Sequence, residues 1–440
     1  MRVYKPSGIK WLGEIPKHWE VTKFKYFYRS NMGETILTQD LETDGIPVYS
    51  ATEEDKFFGK IKNPVNILNV NDFVIPARGT IGAIKIVKEK STCTQTTIFS
   101  KQFKDINPYY VYYFLLGYRK FLFEFIQTAI PQITISQVNE NPIILPPLQE
   151  QKEIAEFLDK KCEKIQNYIN KKQKLITLLQ EKKQALINEA VCGRVACHTE
   201  RSEVSTTAYK PSGIEYLGLI PHHWEAVKVK FTAYVKGRIG FHGLNSNEFR
   251  YDEGAYLVTG NDFDNNEVMW DKCRRVSEER FYEDPNIHLQ NNDLLITKDG
   301  TIGKTAIVNN CPKQATLNSG IFLVRTMKKM CFVKYLFFII NSQYFKEFVN
   351  VKTSGSTIKH LYQSDFHDLK IPLPPLQEQK QIANFLDEKC EKINSVIEKT
   401  KKQIELVKEY KNTLINEAVC GRVACSRDFS PTAQNDKKKN

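Results

Sequence analysis

Residues 146–197 read PPLQEQKEIAEFLDKKCEKIQNYINKKQKLITLLQEKKQALINEAVCGRVAC, and residues 374–425 repeat this stretch without a gap, 228 positions on, with 36 of 52 residues identical. A repeat of fixed period sets the architecture before any local reading does. This period is far too long for a solenoid and marks a duplicated unit made of a domain plus a helix. Each copy predicts one long helix. Steps of seven run Leu158, Ile165, Lys172, Leu179, Leu186 in the first copy and Leu386, Ile393, Thr400, Val407, Leu414 in the second. Ile154, Ile169, Leu175 and Ile176, then Ile382, Ile397 and Ile404, widen the stripes. Such sustained spacing argues for coiled-coil packing, with Lys172 or Thr400 as a polar residue in mid-seam that fixes register. Pro146-Pro147 and Pro374-Pro375 suit a helix entrance, Gly193 and Gly421 an exit. About 40 helical residues at ~1.5 Å each would give a rod of roughly 60 Å.

Working outward, a second repeat precedes each helix. Residues 4–28, YKPSGIKWLGEIPKHWEVTKFKYFY, return at 209–233 as YKPSGIEYLGLIPHHWEAVKVKFTA, 15 of 25 identical. Each unit therefore has a constant entry, a variable middle and a constant helical exit. The middles, 29–145 and 234–373, are 117 and 140 residues long. Landmarks still align inside them. Residues 71–82, NDFVIPARGTIG, match 292–303, NDLLITKDGTIG, and predict strand, glycine turn, strand. Residues 46–50 and 255–259 read as earlier strands. Residues 109–127 and 333–349 read as amphipathic helices whose Phe and Tyr residues form core. The turn at Pro131–Ser136 matches Lys359–Ser364, and Ser354-Gly355-Ser356 reads as an exposed loop. This is a mixed α+β pattern, twice over. Residues 198–208 read as a linker and 426–440 as a disordered tail ending in Lys437-Lys438-Lys439.

The bulk numbers narrow the class. A chain of 440 residues accommodates two or three domains, and 41% hydrophobic residues suit a globular protein. The net charge of +12 favours a polyanionic partner such as nucleic acid. The N-terminus lacks the apolar run of a signal peptide and no stretch approaches the ~20 apolar residues of a membrane span, so a cytoplasmic protein without a membrane partner is expected. Six of the ten cysteines are pairs made by duplication, Cys162/Cys390, Cys192/Cys420 and Cys197/Cys425, and read as reduced, inherited thiols rather than a zinc site.

Catalytic motifs are missing. Residues 300–305, GTIGKT, resemble the end of a phosphate-binding loop, but Lys298 stands where that pattern needs glycine and the aligned residues 79–84 have neither its lysine nor its hydroxyl. Asn107-Pro108-Tyr109-Tyr110 resembles the Asn-Pro-Pro-Tyr loop of amino-methyltransferases without its second proline; Asn-Pro is more simply a helix start. The histidines are scattered and no carboxylate set suggests a nuclease. A binding protein is expected, not an enzyme.

Two variable domains, each closed by an L-P-P-L-x-E-Q-x-x-I-A-x-F-L-D helix at Leu145–Asp159 and Leu373–Asp387, resemble the specificity subunit of type I restriction–modification enzymes; the Trp19-Glu20 and Trp224-Glu225 entries and both Gly-Thr-Ile-Gly turns share in the likeness. The resemblance implies target recognition domains at 1–145 and 209–373, conserved helices at 146–197 and 374–425 packed as an antiparallel coiled coil, and no catalysis in the chain itself. It also implies that each recognition domain reads one half of an asymmetric, split sequence in double-stranded DNA. The helices would set the spacer and dock two methyltransferase subunits that methylate adenine N6, with restriction subunits adding cleavage. S-adenosylmethionine, ATP and Mg2+ are expected in the partners and none here. The seam is expected at Leu158, Ile165, Leu179, Leu186, Leu386, Ile393, Val407 and Leu414. The DNA-reading candidates lie on loops beside the aligned landmarks: Ser50, Thr52, Arg78, Thr80, Lys85, Gln132 and Thr134, then Thr259, Asn261, Lys298, Thr301, Lys304, Ser356, Lys359 and His360. Thr80 and Thr301, identical in domains that read different sequences, lean towards a structural role. A coiled-coil adaptor that leaves DNA alone and the specificity region of a fused methyltransferase or nuclease are the alternatives; salt-dependent DNA binding separates the first from the favoured reading.

Overall fold

The computed structural model describes residues 3–53, 56–124, 131–194, 208–214, 217–238, 244–353 and 359–423. Two long helices, Leu148–Val191 and Leu376–Val419, hold 44 residues each. Pro147 and Pro375 open them. A proline fixes φ near the helical value and its carbonyl is free to accept the first intrahelical bond, here from Gln151 and Gln379 at 3.0 Å in both cases. The glutamines are themselves buried, 3% and 0% exposed. Gln151 donates to the Pro146 carbonyl at 2.8 Å and accepts the Asn107 N–H at 2.9 Å. Gln379 donates to the carbonyls of Pro374 and Met330 and accepts the Phe332 N–H. The Glu-Gln pair of the motif thus ties each helix start to the domain before it.

The chain divides into two compact units, Met1–Gln173 with Lys401–Asn440, and Lys174–Thr400. The first unit holds an antiparallel four-stranded sheet in the order Tyr28–Met32, Thr97–Gln102, Phe73–Pro76, Lys85–Ile86. Beside it lies a three-stranded sheet, Gly59–Ile61, Ile46–Tyr49, Thr92–Cys93, whose last pairing is parallel. Short pairs close the entry segment on itself and on Pro142–Leu145. The second unit repeats this plan with six strands in its larger sheet, ordered Ala233–Gly237, Ile321–Thr326, Leu294–Thr297, Thr305–Ile307, Glu267–Val268, Phe263–Asp264. The extra hairpin Phe263–Val268 takes up part of the longer insert.

Each unit's core runs from the larger sheet through the aromatic helices to the long helices. In the first, Trp19, Phe24, Phe73, Tyr110 and Phe114 pack with Ile154, Leu158 and Cys162 from the first long helix and Ile415, Ala418 and Val419 from the second. In the second, Trp224, Tyr335, Leu336 and Phe366 pack with Ile187, Ala190 and Val191 and with Ile382, Leu386 and Cys390. The helices run antiparallel in both units. Lys411 faces Cys162, while Tyr110 Oη, bonded to the Ile144 carbonyl just before the first helix, also donates to Val419 near the end of the second. Lys183 faces Cys390 and donates to Asn394 at 3.0 Å. Leu158 and Leu386 are wholly buried; Ile165, Leu179, Leu186, Ile393, Val407 and Leu414 are half-buried. The deepest positions between them, Cys162, Ile169, Cys390, Ile397 and Ile404, form the second row of the alternating four-and-three spacing that a two-row seam requires.

Both helices end in the same motif. Gly193 and Gly421 take φ of 69° and 72°. The N–H of Arg194 returns to Glu189 and that of Arg422 to Glu417, both at 2.9 Å, which satisfies carbonyls the helix leaves open. Neither glycine can carry a Cβ, which would fall 2.4 Å from Pro221 or 2.6 Å from Pro16 of an entry segment.

The aromatic helices differ from their sequence reading. Residues 109–127 give Pro108–Gly117 and Arg119–Leu122, with 125–127 outside the described residues, and 333–349 give Val333–Ile340 and Gln343–Thr353. At the second break Asn341 Nδ2 bonds the Phe337 carbonyl and Ser342 Oγ the Ile339 carbonyl, so side chains compete with the helix for its own acceptors. At the first, a Cβ on Gly117 would sit 2.3 Å from Asn416 Oδ1 and 3.0 Å from Ile415, so a larger residue would have to displace side chains of the long helix. Asn107 caps Pro108–Gly117, accepting from the Tyr110 N–H at 2.9 Å, which gives Asn-Pro a structural use. The expectations for the linker at 198–207, the 354–356 loop including Ser356, Cys197, Cys425 and the tail at 426–440 fall outside the described residues.

Candidate nucleic-acid interface

Three loops of the first unit meet at one edge of its sheets. Residues 77–82 leave the strand Phe73–Pro76, turn through Gly79 and Gly82 at φ of 72° and 69°, and return towards Lys85. Thr80 Oγ1 donates to the Ala51 carbonyl at 3.0 Å, which binds this turn to the loop after Ile46–Tyr49. Lys85, 4% exposed, points its ammonium at the Ser50 carbonyl and Thr52 Oγ1, both at 3.0 Å. The third loop joins through an isolated bridge between Arg78 and Gln132, where Arg78 Nε donates to Gln132 Oε1 at 3.0 Å. Thr134 caps Ile135–Glu140 and shares a capping box with Gln137.

The second unit builds the same edge with other side chains. Gly300 and Gly303 turn at φ of 66° and 86°. Thr297 Oγ1 donates to the Thr301 carbonyl inside the turn. Lys304 Nζ reaches the Gly260 carbonyl at 2.9 Å, holding turn to loop as Lys85 does from a different strand position. Thr259 caps the short turn at Gly260–Asp262, with Asn261 exposed beside it. Lys298 lies 5.3 Å over the Phe322 ring. An isolated bridge joins Asp299 to His360, and His360 Nδ1 donates to Asp299 Oδ1. Lys359 next to it is exposed.

All the candidates among the described residues thus fall on these two loop clusters, and they divide by environment. Ser50, Lys85, Thr80, Thr134 and Thr259 have polar atoms engaged in holding the loops. Thr52 and Lys304 share that task although exposed; Arg78, Asn261, Thr301 and Lys359 are exposed, and Gln132, Lys298 and His360 half-exposed. Two groups were missed. Asp299 sits inside the aligned stretch 292–303 but carries the wrong sign for a phosphate, so a search for basic and amide side chains passes over it. Arg274 and Arg275 stack on Tyr251 and Tyr256 with guanidinium carbons 3.9 and 3.7 Å from the ring centroids. Their signal was the adjacent Arg-Arg pair in a strand outside the aligned landmarks.

Buried charge lies at the other end of the strand that leads into each turn. Asp293, 1% exposed on its side chain, takes a two-pronged contact from Arg325 at 2.7 and 2.8 Å, and this hydrogen-bonded partner raises the Arg325 pKa. The matching Asp72 accepts the N–H groups of Asn69 and Gln102, yet burial holds its carboxyl above the ordinary range. No group of three or more His, Cys, Asp or Glu that could hold a metal ion occurs among the described residues, and no helix there is long and apolar enough to cross a membrane.

Comparison with known proteins gives a consistent outcome. The family model for the type I restriction modification DNA specificity domain matches twice, at residues 16–180 and 243–406. The type I restriction enzyme MjaVIII specificity subunit of Methanocaldococcus jannaschii is 25% identical over 444 residues, covering 96% of this chain and 97% of its own. The EcoBI specificity subunit of Escherichia coli is 20% identical over 67% of this chain and 61% of its own. Among solved structures, a chain from work on complex assembly and conformational transition of the type I R-M system aligns over 93% of this chain and 99% of its own, with a TM-score of 0.67 at 15% identity. The HsdS subunit from Thermoanaerobacter tengcongensis aligns over 93% and 98%, with a TM-score of 0.50, also at 15% identity. At these identities the structural likeness is one of fold, while the doubled family match spans most of the sequence. The chain belongs to the type I restriction–modification DNA specificity family, as a specificity subunit.

Proposed function

We propose that each unit reads one half of an asymmetric, split target in double-stranded DNA, and that the long helices set the spacer between the halves and dock two methyltransferase subunits. Those subunits would methylate adenine N6 with S-adenosylmethionine, and restriction subunits would add ATP- and Mg2+-dependent cleavage, so that the chemistry resides in the partners and this chain acts without catalysis in the cytoplasm. The linear layout that goes with this is recognition at 1–145 and 209–373, helices at 146–197 and 374–425, a linker at 198–208 and a tail at 426–440.

The observation that carries the reading is the pair of loop clusters. One scaffold occurs twice, with the same glycine turn and the same bridge, and presents different polar side chains each time. Base edges in the major groove are read by such hydrogen-bonding side chains, while Lys and Arg on phosphates supply affinity that falls with salt. On this reading the exposed residues of the clusters face bases or phosphates, and Lys85, Thr80 and Thr134 shape the loops. The test is single-molecule sequencing of N6-methyladenine in genomic DNA with and without the gene. Loss of one asymmetric split motif on deletion is the expected result, and methylation unchanged by deletion in cells that express all three subunits would refute the assignment.

A further inference from the structure

The isolated bridge that closes each loop cluster has the same backbone in both units. Ile133 N–H donates to Ala77 at 3.0 Å, and Leu361 N–H donates to Lys298 at 2.9 Å. The next residue in each case, Arg78 or Asp299, pairs across the bridge with Gln132 or His360. The flanking Gly-Thr-Ile-Gly is identical in the two copies. At the bridge, however, the charge reverses from cation to anion.

Each charged side chain is exposed and held at one atom only. Gln132 Oε1 takes Arg78 Nε, which leaves both terminal nitrogens of the guanidinium without a partner among the described residues. His360 Nδ1 donates to Asp299 Oδ1, which leaves Oδ2 in the same condition. A tether at Nε fixes the plane of the guanidinium and keeps its two-pronged end for something else. An aspartate on a DNA-facing edge repels phosphate, so sequence-independent attraction does not account for it.

Resting on the function proposed above, we infer that these pairs are specificity determinants of opposite chemistry. Arg78, aimed by Gln132, recognises a guanine through O6 and N7 in one half-site. Asp299, aimed by His360, recognises a cytosine by accepting from its N4 amino group in the other. Guanine presents two acceptors side by side in the major groove and cytosine a lone donor, which match a guanidinium fork and a carboxylate oxygen respectively. Lys298, the residue before Asp299, offsets part of its repulsion from the backbone.

The experiment is selection from a random duplex library by the full chain, purified with the subunits that accompany it, comparing wild type with Arg78→Lys, Arg78→Ala and Asp299→Asn. Wild type should enrich a two-part motif. Arg78→Lys keeps the charge and loses the fork, so binding to DNA lacking that guanine should hold while preference for guanine at one position of one half falls on the order of tenfold to a hundredfold. Asp299→Asn should relax a cytosine in the other half by a similar factor and leave the first half untouched. Arg78→Ala should match Arg78→Lys at the guanine with weaker overall binding. A wild-type motif that all three variants reproduce overturns this assignment and leaves the two-half reading standing, as does a uniform loss of binding with no change of motif. A wild type that enriches no two-part motif overturns the reading beneath it as well.

Discussion

Trp19 donates its indole N–H to the carboxylate of Glu150 at 3.2 Å, across 131 residues of chain, and His18 meets the other carboxylate oxygen at 2.6 Å. Trp224 repeats this to Glu378 at 3.1 Å, with His223 at 2.9 Å. Both indoles are fully buried, and both glutamates stand in the first turn of a long helix, where a negative charge suits the helix dipole. Glu150→Ala should leave a buried donor unanswered and destabilise the first unit by about 1–3 kcal/mol, with Glu378→Ala doing the same to the second. Each glutamine variant should cost less, because it keeps an acceptor. Amide exchange resolved by unit checks this; a loss shared equally by both units from either single substitution would contradict it.

Among the ion pairs of the described residues, Arg325 and Asp293 form the one in which removing a partner should matter most, since the Asp293 side chain is 1% exposed and that of Arg325 34%. Arg325→Ala should cost about 3 kcal/mol, because the carboxylate stays buried without its cation. Arg325→Lys should fall between, keeping the charge without the paired contacts. Denaturant midpoints of the second unit are the measurement, and an alanine variant within ~0.5 kcal/mol of wild type would count against the pair.

Asp72 shows the opposite pH behaviour from a paired carboxylate. Burial raises its pKa in the folded state, so the native chain holds that proton more tightly than the unfolded one. Its contribution to stability is therefore most favourable below the unfolded value near ~4 and declines as pH rises through the folded value. Asp72→Asn should flatten that part of the pH profile in the first unit, followed by amide exchange along Thr97–Gln102. A variant with the wild-type slope would show that the dependence arises elsewhere.

Gly79 and Gly82 share one turn but should respond differently to alanine. Both have positive φ, which costs an L-residue about 1–2 kcal/mol. A Cβ on Gly82 would also sit 2.9 Å from the Phe123 ring, whereas on Gly79 it meets nothing closer than 3.6 Å. Gly82→Ala should be the more damaging, Gly79→Ala should cost little beyond the backbone term, and Gly79→Asn less still, since asparagine tolerates this conformation. Thermal unfolding of the three variants decides it; equal losses for Gly79→Ala and Gly82→Ala would remove the role given to Phe123.

The long helices and the duplicated frame were legible because they rest on local signals: a period, prolines at the start and a glycine at the end. The sheets were legible only as strands. Nothing near Phe73 or Leu294 states that Thr97–Gln102 and Ile321–Thr326 pair between distant segments, since that order depends on closing long loops. The loop clusters were found through alignment of the two copies, which locates a position without giving its environment. Lys85 looked like a surface cation and is buried, because the partners that compensate its charge, the Ser50 carbonyl and Thr52, lie on another loop. Asp299 was passed over because its meaning depends on His360, 61 residues away.

The helix exits have a consequence for biosynthesis. The second unit is one continuous run, Lys174–Thr400, and every residue it needs has been made by the time position 400 is reached. The first unit needs Ile415, Ala418 and Val419 in its core, Tyr4 bonded to the Gly421 carbonyl and Arg422 bonded to the Leu12 carbonyl. Of the two units, the one that comes first in the sequence is completed last. Until then its apolar face for the second helix stands open, and a stop between positions 400 and 415 injures the first unit rather than the second.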